Sequence, residues 1–187
     1  MGLKNSEKSF GTIAKFFHWT IVLLFIHQYA SIAIVEYLLE KNSPFSSLLI
    51  GGLHKPLGFF LFFIGIAAFV WHFTNIKVKF SDTMPLWEKR FAQFVHRSLY
   101  VSLIFMAFSG IAMSVTGAKS INIFNLFSIP AFREKDKELS SFFWDCHELF
   151  AIVLIVLLGL HLGGILKQHI LRKDPVIKKM LPHFKSR

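Results

Sequence analysis

Two histidines of this sequence lie at opposite ends of one long apolar stretch. His147 and His161 are fourteen residues apart and flank most of the segment Leu149 to Leu166. In an α-helix this separation advances about 21 Å and returns to within about 40° of the same face. The imidazoles would therefore share a face, one near each surface of a hydrocarbon core about 30 Å thick. Because intramembrane histidines are costly and face a bundle interior, this spacing predicts two stacked binding sites.

Partners for these two histidines should lie at matching depths on other helices. Near His147 only His54 stands at the end of another apolar stretch, so we pair these two by elimination. Near His161 the residues alone leave three partners open: His18, His72 and His96. The histidines that this argument excludes are His27, on the opposite helix face from His18, and His169 and His183, in the basic C-terminal tail.

Paired imidazoles on facing helices favour haem as the bound group. Two neutral imidazoles can bind a haem iron from both sides, and four-helix bundles hold such cofactors. Zinc usually takes four ligands from Cys, His and carboxylates, and neither level offers an obvious tetrahedral set. Covalent c-type attachment is excluded because Cys-x-x-Cys-His would need a cysteine at Phe143, ahead of Cys146. For a lone histidine such as His27, a hydrogen bond to a neighbouring helix is the simpler interpretation.

The elements that must position these histidines are membrane helices. Only 17% of the residues are charged, against about 25% in soluble domains, and 23 of the 187 are Phe. Four windows without Asp, Glu, Lys or Arg approach the roughly 20 residues needed to cross a bilayer: Phe16–Val35, Pro56–Ile76, Ser98–Ala118 and Leu149–Leu166. We predict an all-α integral membrane protein, a single four-helix bundle over residues 1–187 with spans at about 13–36, 53–76, 91–116 and 143–170.

The loops carry weaker predictions. Pro44 and the pair Gly51-Gly52 are expected to break the helix before the second span, and a short surface helix is expected around Ile121–Phe127. The single cysteine, Cys146, excludes an intrachain disulfide and is interpreted as a packed thiol.

Charge placement predicts the topology. The net charge is +10, but fifteen of the 21 Lys and Arg residues lie in the two termini and the loop between spans 2 and 3. Short loops rich in Lys and Arg stay in the cytoplasm, so we expect both termini and the loop between spans 2 and 3 inside. The basic tail is then a topology signal and a contact for anionic lipid, not a nucleic-acid site.

Several of these residues together resemble the bacterial cytochrome b561 family. The resemblance covers essentially the whole chain and rests on Phe17-His18-Trp19, Leu53-His54, His96…Tyr100…Gly110, His147-Glu148…Gly159-Leu160-His161 and Lys173-Asp174…Lys179-Met180-Leu181-Pro182. It implies two b haems, each held by two histidines: His54 and His147 for the outer haem, His18 and His161 for the inner one.

The resemblance also implies a function. Members of the family move single electrons between ubiquinone in the membrane and a donor or acceptor at the outer face, and some are similar to superoxide oxidases. Such a role here would make superoxide and ubiquinone the partners, with Lys55 beside His54 as a catalytic residue. Lys119 and Arg133 of the outer loop would add positive potential, which accelerates the arrival of an anion.

Three positions depart from the family. Arginines near the inner end of span 2 are replaced by Ala68 and His72, and the proline of span 3 by Ala107. The inner haem propionates would then depend on Lys15, Arg97 or His72. Two other functions fit the same residues: a cytochrome b subunit of a larger dehydrogenase or hydrogenase, and a haem-free, histidine-lined carrier for a metal or a proton.

Overall fold

The protein is a bundle of four long apolar helices. The computed structural model describes residues 2–41, 43–174 and 176–181. Within them, four helices are long and apolar enough to cross a membrane, and we number them spans 1 to 4: Thr12–Leu39, Phe45–Thr74, Leu86–Thr116 and Lys137–Leu171. The predicted all-α, four-span fold is confirmed. Pro182 and His183 of the basic tail lie outside the described residues.

The helices and strands follow one another in a simple order. The elements are α1 (Thr12–Glu40), α2 (Phe45–Leu48), a π-helical turn (Leu49–His54), α3 (Lys55–Thr74), α4 (Leu86–Thr116), β1 (Ile121–Ile123), β2 (Phe127–Ile129), α5 (Lys137–Leu166), a second π-helical turn (Lys167–Leu171) and α6 (Val176–Met180). We call the end that carries α6 and the loop between spans 2 and 3 the inner end, and the opposite end the outer end.

Span 2 is longer than the sequence predicted. The expected break at Gly51-Gly52 is wrong, because both residues belong to the π-helical turn that joins α2 to α3. Pro56 follows directly, and a proline cannot donate a backbone hydrogen bond to the carbonyl four residues earlier. A wider π turn is one way for a helix to pass such a site, and such turns are frequent at functional sites. This turn delivers His54.

The outer loop holds a β-hairpin in place of the predicted helix. β1 and β2 pair antiparallel, with Ile121 opposite Ile129. The expectation of a helix around Ile121–Phe127 is wrong, since Phe124 and Asn125 have φ angles of 50° and 61°. These left-handed values do not occur in a right-handed helix. The turn is stabilised by the Asn122 side chain, which accepts a 2.7 Å hydrogen bond from the Asn125 amide.

The apolar core lies midway between the two histidine levels. Its fully buried side chains come from spans 2, 3 and 4: Leu61, Leu103, Met106 and Leu154. Side chains of span 1, including Ile21, Leu24 and Phe25, pack against them. Leu154 is seven residues from both His147 and His161, so this core separates the two levels.

Polar contacts close the inner end. Trp19 Nε1 donates to the Met180 carbonyl and Lys15 Nζ to the Leu181 carbonyl, both at 2.9 Å, which ties α6 to span 1. The buried Glu88 at the start of span 3 pairs with Lys167 at 3.0 Å and with Arg172 at 2.8 Å. These two ion pairs connect the start of span 3 to the end of span 4.

Candidate functional site

The outer histidines face each other across the bundle. The ring centres of His54 and His147 are 6.4 Å apart, with an interplanar angle of 79°. Imidazole nitrogens bind metals at about 2 Å, so two imidazoles on opposite sides of one metal have ring centres roughly 6 Å apart. This separation would allow His54 and His147 to hold one metal ion between them. The structure thus places His54 and His147, which the sequence paired by elimination, close to each other.

Hydrogen bonding fixes the tautomer of His147. Its Nδ1 lies 2.8 Å from the carbonyl oxygen of Met106 and 3.4 Å from Ser109 Oγ. A carbonyl oxygen can only accept, so Nδ1 carries the proton. In a neutral imidazole the other nitrogen, Nε2, then has a free lone pair. Such a bond from the non-ligating nitrogen is typical of metal-binding histidines, where it orients the ring and raises its basicity.

His54 is held by an equivalent arrangement on span 1. Its Nδ1 is 3.1 Å from Ser31 Oγ, and the Ser31 hydroxyl donates to the Gln28 carbonyl at 2.8 Å. Because the serine proton is used on Gln28, the serine oxygen accepts from Nδ1–H of His54. Gln28 Nε2 in turn donates to the His54 carbonyl at 3.0 Å. The Nε2 lone pair of His54 is thereby also free for a metal.

A glycine makes room for the His147 ring. A Cβ atom at Gly110 would lie 2.9 Å from Cε1 of His147 and 3.0 Å from its Nδ1. Carbon atoms in contact normally stay about 3.5–4.0 Å apart, so any side chain at position 110 would displace the ring. Gly110 therefore belongs to the site, although it binds nothing itself.

Sequence reasoning missed the residues that orient the outer pair. Gln28, Ser31 and Ser109 are polar and buried inside apolar spans. A buried polar side chain needs a hydrogen-bond partner. A polar residue inside an apolar span, at the depth of a predicted ligand, therefore indicates a possible hydrogen bond to that ligand. The role of the Met106 carbonyl could not be predicted from the sequence, because every residue has a backbone carbonyl.

The inner level holds four histidines instead of two. The ring of His161 lies 5.1 Å from that of His96, and the ring of His72 lies 5.3 Å from that of Tyr100. His18 lines a small cavity together with Phe17, Ala68, Trp71, His72 and Tyr100. The four rings cluster at one depth, as the sequence predicted, but their mutual contacts do not single out the partner of His161.

The inner histidines also lack the hydrogen bonds that define the outer pair. Among the described residues, no ring nitrogen of His18, His72, His96 or His161 has a hydrogen-bond partner. Trp71 Nε1, beside the cavity, is buried and has no partner in the described part of the chain either. Polar atoms therefore face this region with unused hydrogen-bonding capacity, which a bound group could satisfy.

Cations for the inner propionates can now be placed. Lys15, one of the three residues considered, has its ammonium on the Leu181 carbonyl. Arg97 lies over the ring of Phe73, as does Lys77, a residue that sequence reasoning had not considered. Lys77 donates to the His72 carbonyl, and partial burial together with the nearby Arg97 charge lowers the pKa of Lys77. Lys77 and Arg97 thus form a positive pair beside His72 at the inner end.

Lys55 borders the outer pair. It directly follows His54, is half-buried, and experiences the positive charge of Lys119. Lys119 and Arg133 are exposed on the outer loop. The outer end therefore presents positive potential next to one of the two facing histidines.

A purely structural interpretation fits these residues less well. The expected interhelical hydrogen bond of His27 is not found at its buried Nδ1, which has no partner among the described residues. Among the described residues, no group of three or more His, Cys, Asp or Glu side chains is placed so that it could hold a metal ion. The pairwise arrangement of His54 and His147 therefore suits a cofactor that needs two protein ligands better than zinc, which needs more.

Comparison with known proteins agrees with this geometry. Residues 9–183 match the family model described as prokaryotic cytochrome b561. Two Escherichia coli proteins, cytochrome b561 homolog 1 and cytochrome b561 homolog 2, are each 24% identical to this chain. The first alignment covers 91% of this chain and 95% of the relative, and the second covers 97% and 95%. The chain therefore belongs to the prokaryotic cytochrome b561 family, membrane proteins that bind haem b and transfer electrons.

Proposed function

We propose that this protein binds two b haems and carries electrons between them across the bilayer. His54 and His147 would hold the outer haem, and His18 and His161 the inner one. The observation that carries the proposal is the outer pair, whose two Nδ1 atoms are both occupied by hydrogen bonds at a ring separation of 6.4 Å. When bound, each haem would accept and release one electron, while the protein supplies ligands, spacing and field.

The inner assignment depends on the shape required of a haem site. Axial ligands lie on opposite faces of the porphyrin, with ring centres roughly 6 Å apart. The His96 and His161 rings, at 5.1 Å, are closer than that. His18 lines a cavity with Ala68, where a small side chain leaves space. We therefore retain His18 as the partner of His161, with Lys77 and Arg97 replacing the missing arginines of span 2 as propionate contacts.

The proposed reaction is the oxidation of superoxide at the outer face coupled to reduction of ubiquinone in the membrane. Two superoxide anions lose one electron each and become dioxygen. One ubiquinone takes up these two electrons and two protons and becomes ubiquinol. Two superoxide anions, one ubiquinone and two protons thus give two molecules of dioxygen and one ubiquinol, so that atoms and charge balance.

Lys55 would guide the donor. Superoxide is an anion, and a positive side chain beside the outer haem raises its local concentration. Lys55 is half-buried next to His54, so its field is less screened by solvent than those of Lys119 and Arg133, which are fully exposed. This placement supports Lys55 as the catalytic residue that acts on superoxide.

The test is the rate of haem reduction by superoxide, measured against ionic strength. We expect the rate to fall as salt is raised, because the Debye length shrinks to about 3 Å at 1 M. Lys55→Glu should lower the rate at low salt while haem content stays unchanged. Lys41→Glu, the same charge change on the outer loop beside Tyr37, is the matched control.

If the rate of haem reduction depends neither on ionic strength nor on the charge of residue 55, in protein with full haem content, superoxide is excluded as the donor. The protein would then be a cytochrome b subunit that receives electrons from a dehydrogenase or hydrogenase. A reduced-minus-oxidised spectrum without haem bands would instead leave a metal or proton carrier.

The topology is part of the proposal. Both termini are placed in the cytoplasm of a bacterial inner membrane, so that His54 and Lys55 face outward. Reporter fusions at residue 187 should be active only as cytoplasmic reporters, and a fusion within the hairpin loop only as an external one. The opposite pattern would place Lys55 at the cytoplasmic face.

A further inference from the structure

The β-hairpin of the outer loop is unusually apolar for a loop. Residues 121–129 include no charged side chain, although Lys119 precedes them and Arg133 follows. Ile121 and Ile123 are fully buried against the bundle. Directly opposed residues of an antiparallel pair lie on the same face, so Phe127 shares the face of Ile123, and the other face carries Asn122 and Ser128. Three apolar side chains at the tip nevertheless remain exposed: Leu126 is 79% exposed, Phe127 51% and Phe124 44%. The hairpin thus packs one face on the protein and leaves an apolar tip largely exposed.

The hairpin descends along span 2. Lys119, just before β1, is electrostatically close to Lys55. Phe124, at the turn, stacks on Phe60 with ring centres 6.1 Å apart, and Phe127 lies 5.9 Å from Phe59. Phe60 is six residues past His54, which corresponds to about 9 Å along the helix towards the membrane centre. The turn therefore lies deeper than the outer histidine pair.

Hydrogen bonds within the hairpin close the turn. The Leu126 amide donates to the Ile123 carbonyl at 2.9 Å, and the Asn125 amide to Asn122 Oδ1 at 2.7 Å. The side-chain Nδ2 of Asn122 donates to Asn125 Oδ1 at 2.8 Å. Backbone groups in hydrocarbon have no water to bond, so internal pairing of this kind lowers the cost of placing the tip there.

The identity of the residue at the turn points to the same surroundings. Phe124 has a φ of 50°, a left-handed value that bulky side chains seldom adopt. Its ring stacks on Phe60, which is itself 39% exposed, and next to it Phe63 is 52% exposed. These rings of span 2 lie on the outward surface of the bundle, and the apolar tip of the hairpin continues that surface.

We propose that the hairpin Ile121–Ile129 is a re-entrant element whose tip is embedded in the acyl chains of the outer leaflet. The partner of the exposed tip is lipid. The embedded tip anchors the outer loop to the bilayer and so fixes Lys119 beside Lys55. This inference does not depend on which electron donor the protein uses.

Nitroxide accessibility in lipid vesicles tests the proposal. Leu126→Cys is labelled in a Cys146→Ser background, after haem content has been shown to equal that of the parent. Phe63→Cys on span 2 is the control for a lipid-facing site, and Lys135→Cys on the outer loop is the control for an aqueous one. Collisions of the label with dissolved oxygen, which concentrates in lipid, are compared with those of a water-soluble nickel chelate.

We expect the oxygen-to-nickel ratio at residue 126 to match that at residue 63 and to exceed that at residue 135 severalfold. A ratio like that of residue 135 would place the tip in water and overturn the proposal. Low collision rates with both reagents, together with spin–spin broadening, would show a second copy of the chain at this tip and would equally overturn it.

A second variant keeps the test decisive if labelled protein does not accumulate. Leu126→Lys places a charge at the tip, and Leu126→Ala removes the same apolar contacts without one. Lipid insertion predicts a lower melting temperature in nanodiscs for Leu126→Lys than for Leu126→Ala. Equal melting temperatures would mean that the tip is solvated.

Discussion

The two histidine levels of this bundle are built differently. At the outer level two histidines face each other, and hydrogen bonds to Ser31 and to the Met106 carbonyl hold their rings. At the inner level four histidines share one depth, and none of their ring nitrogens has a hydrogen-bond partner among the described residues. The outer level is thus a preorganised pair of histidines, whereas the inner level offers several imidazoles from which a bound haem would take its ligands. The difference predicts distinct responses to substitution.

The largest effect should follow loss of an outer ligand. His54→Ala or His147→Ala would remove one of the two proposed ligands of the outer haem, so one of the two haems should be lost. His27→Ala, at another buried histidine of span 1, should keep both. Haem content per chain by pyridine haemochrome assay distinguishes them. Two haems with unchanged low-spin spectra in His147→Ala would refute the outer pairing. Since cofactor binding stabilises the fold, poor accumulation of the mutants is an expected accompaniment.

The inner level should show which of its histidines are ligands. We expect His18→Ala and His161→Ala to lose the inner haem, and His96→Ala and His72→Ala to retain it with a shifted midpoint potential. Electron paramagnetic resonance of the oxidised protein resolves the low-spin signals of the two haems. If His96→Ala loses a haem and His18→Ala does not, the inner pair is His96 and His161.

A smaller effect is expected at Gly110. Gly110→Ala would push the His147 ring, because the new Cβ would lie 2.9 Å from its Cε1. The outer haem should become partly occupied or shift its low-spin signal, while the inner haem is unaffected. Gly159→Ala on span 4 is the matched control, since a Cβ there meets no atom within 4 Å. Equal spectra for the two variants would mean that the His147 ring is not held at this position.

The smallest effect should come from the hydrogen bond to His54. Ser31→Ala leaves the ligand in place but frees its Nδ1, and loss of such a partner typically costs about 10–100-fold in metal affinity. We expect weaker retention of the outer haem and a changed midpoint potential. Ser47→Ala removes an exposed hydroxyl bonded to the Pro44 carbonyl and serves as control. A potential that does not move in Ser31→Ala would assign Ser31 to packing alone.

Sequence alone predicted four spans and the proximity of His54 and His147 because both inferences depend on strong physical constraints. A charged residue rarely lies in hydrocarbon, so each charge-free window overlaps one of the four spans. Only one histidine matched the depth of His147, and elimination therefore named a single candidate. The same argument could not select a partner for His161, because four histidines share that depth and depth does not specify orientation.

Sequence reasoning failed where helix and loop are decided by local contacts. We expected a break at Gly51-Gly52 because we did not consider that a π turn can precede Pro56. The helix expected around Ile121–Phe127 ignored Asn122 and Asn125, whose spacing of three residues is a turn signal. Span 4 begins at Lys137, well before its apolar window, since Asp136 accepts a hydrogen bond from the Leu139 amide as an N-cap. Each of these signals is present in the sequence. Residue propensities alone, however, do not show which of several local signals decides the backbone conformation.

The proposed pair of b haems, each between two histidines, is tested by haem stoichiometry combined with electron paramagnetic resonance on the purified, oxidised protein. We expect two haem b per chain and two distinct low-spin ferric signals typical of bis-histidine ligation. One of these signals should disappear in His147→Ala and the other in His161→Ala. A single haem per chain, or a high-spin signal from the wild-type protein, would show that the two proposed histidine pairs are wrong.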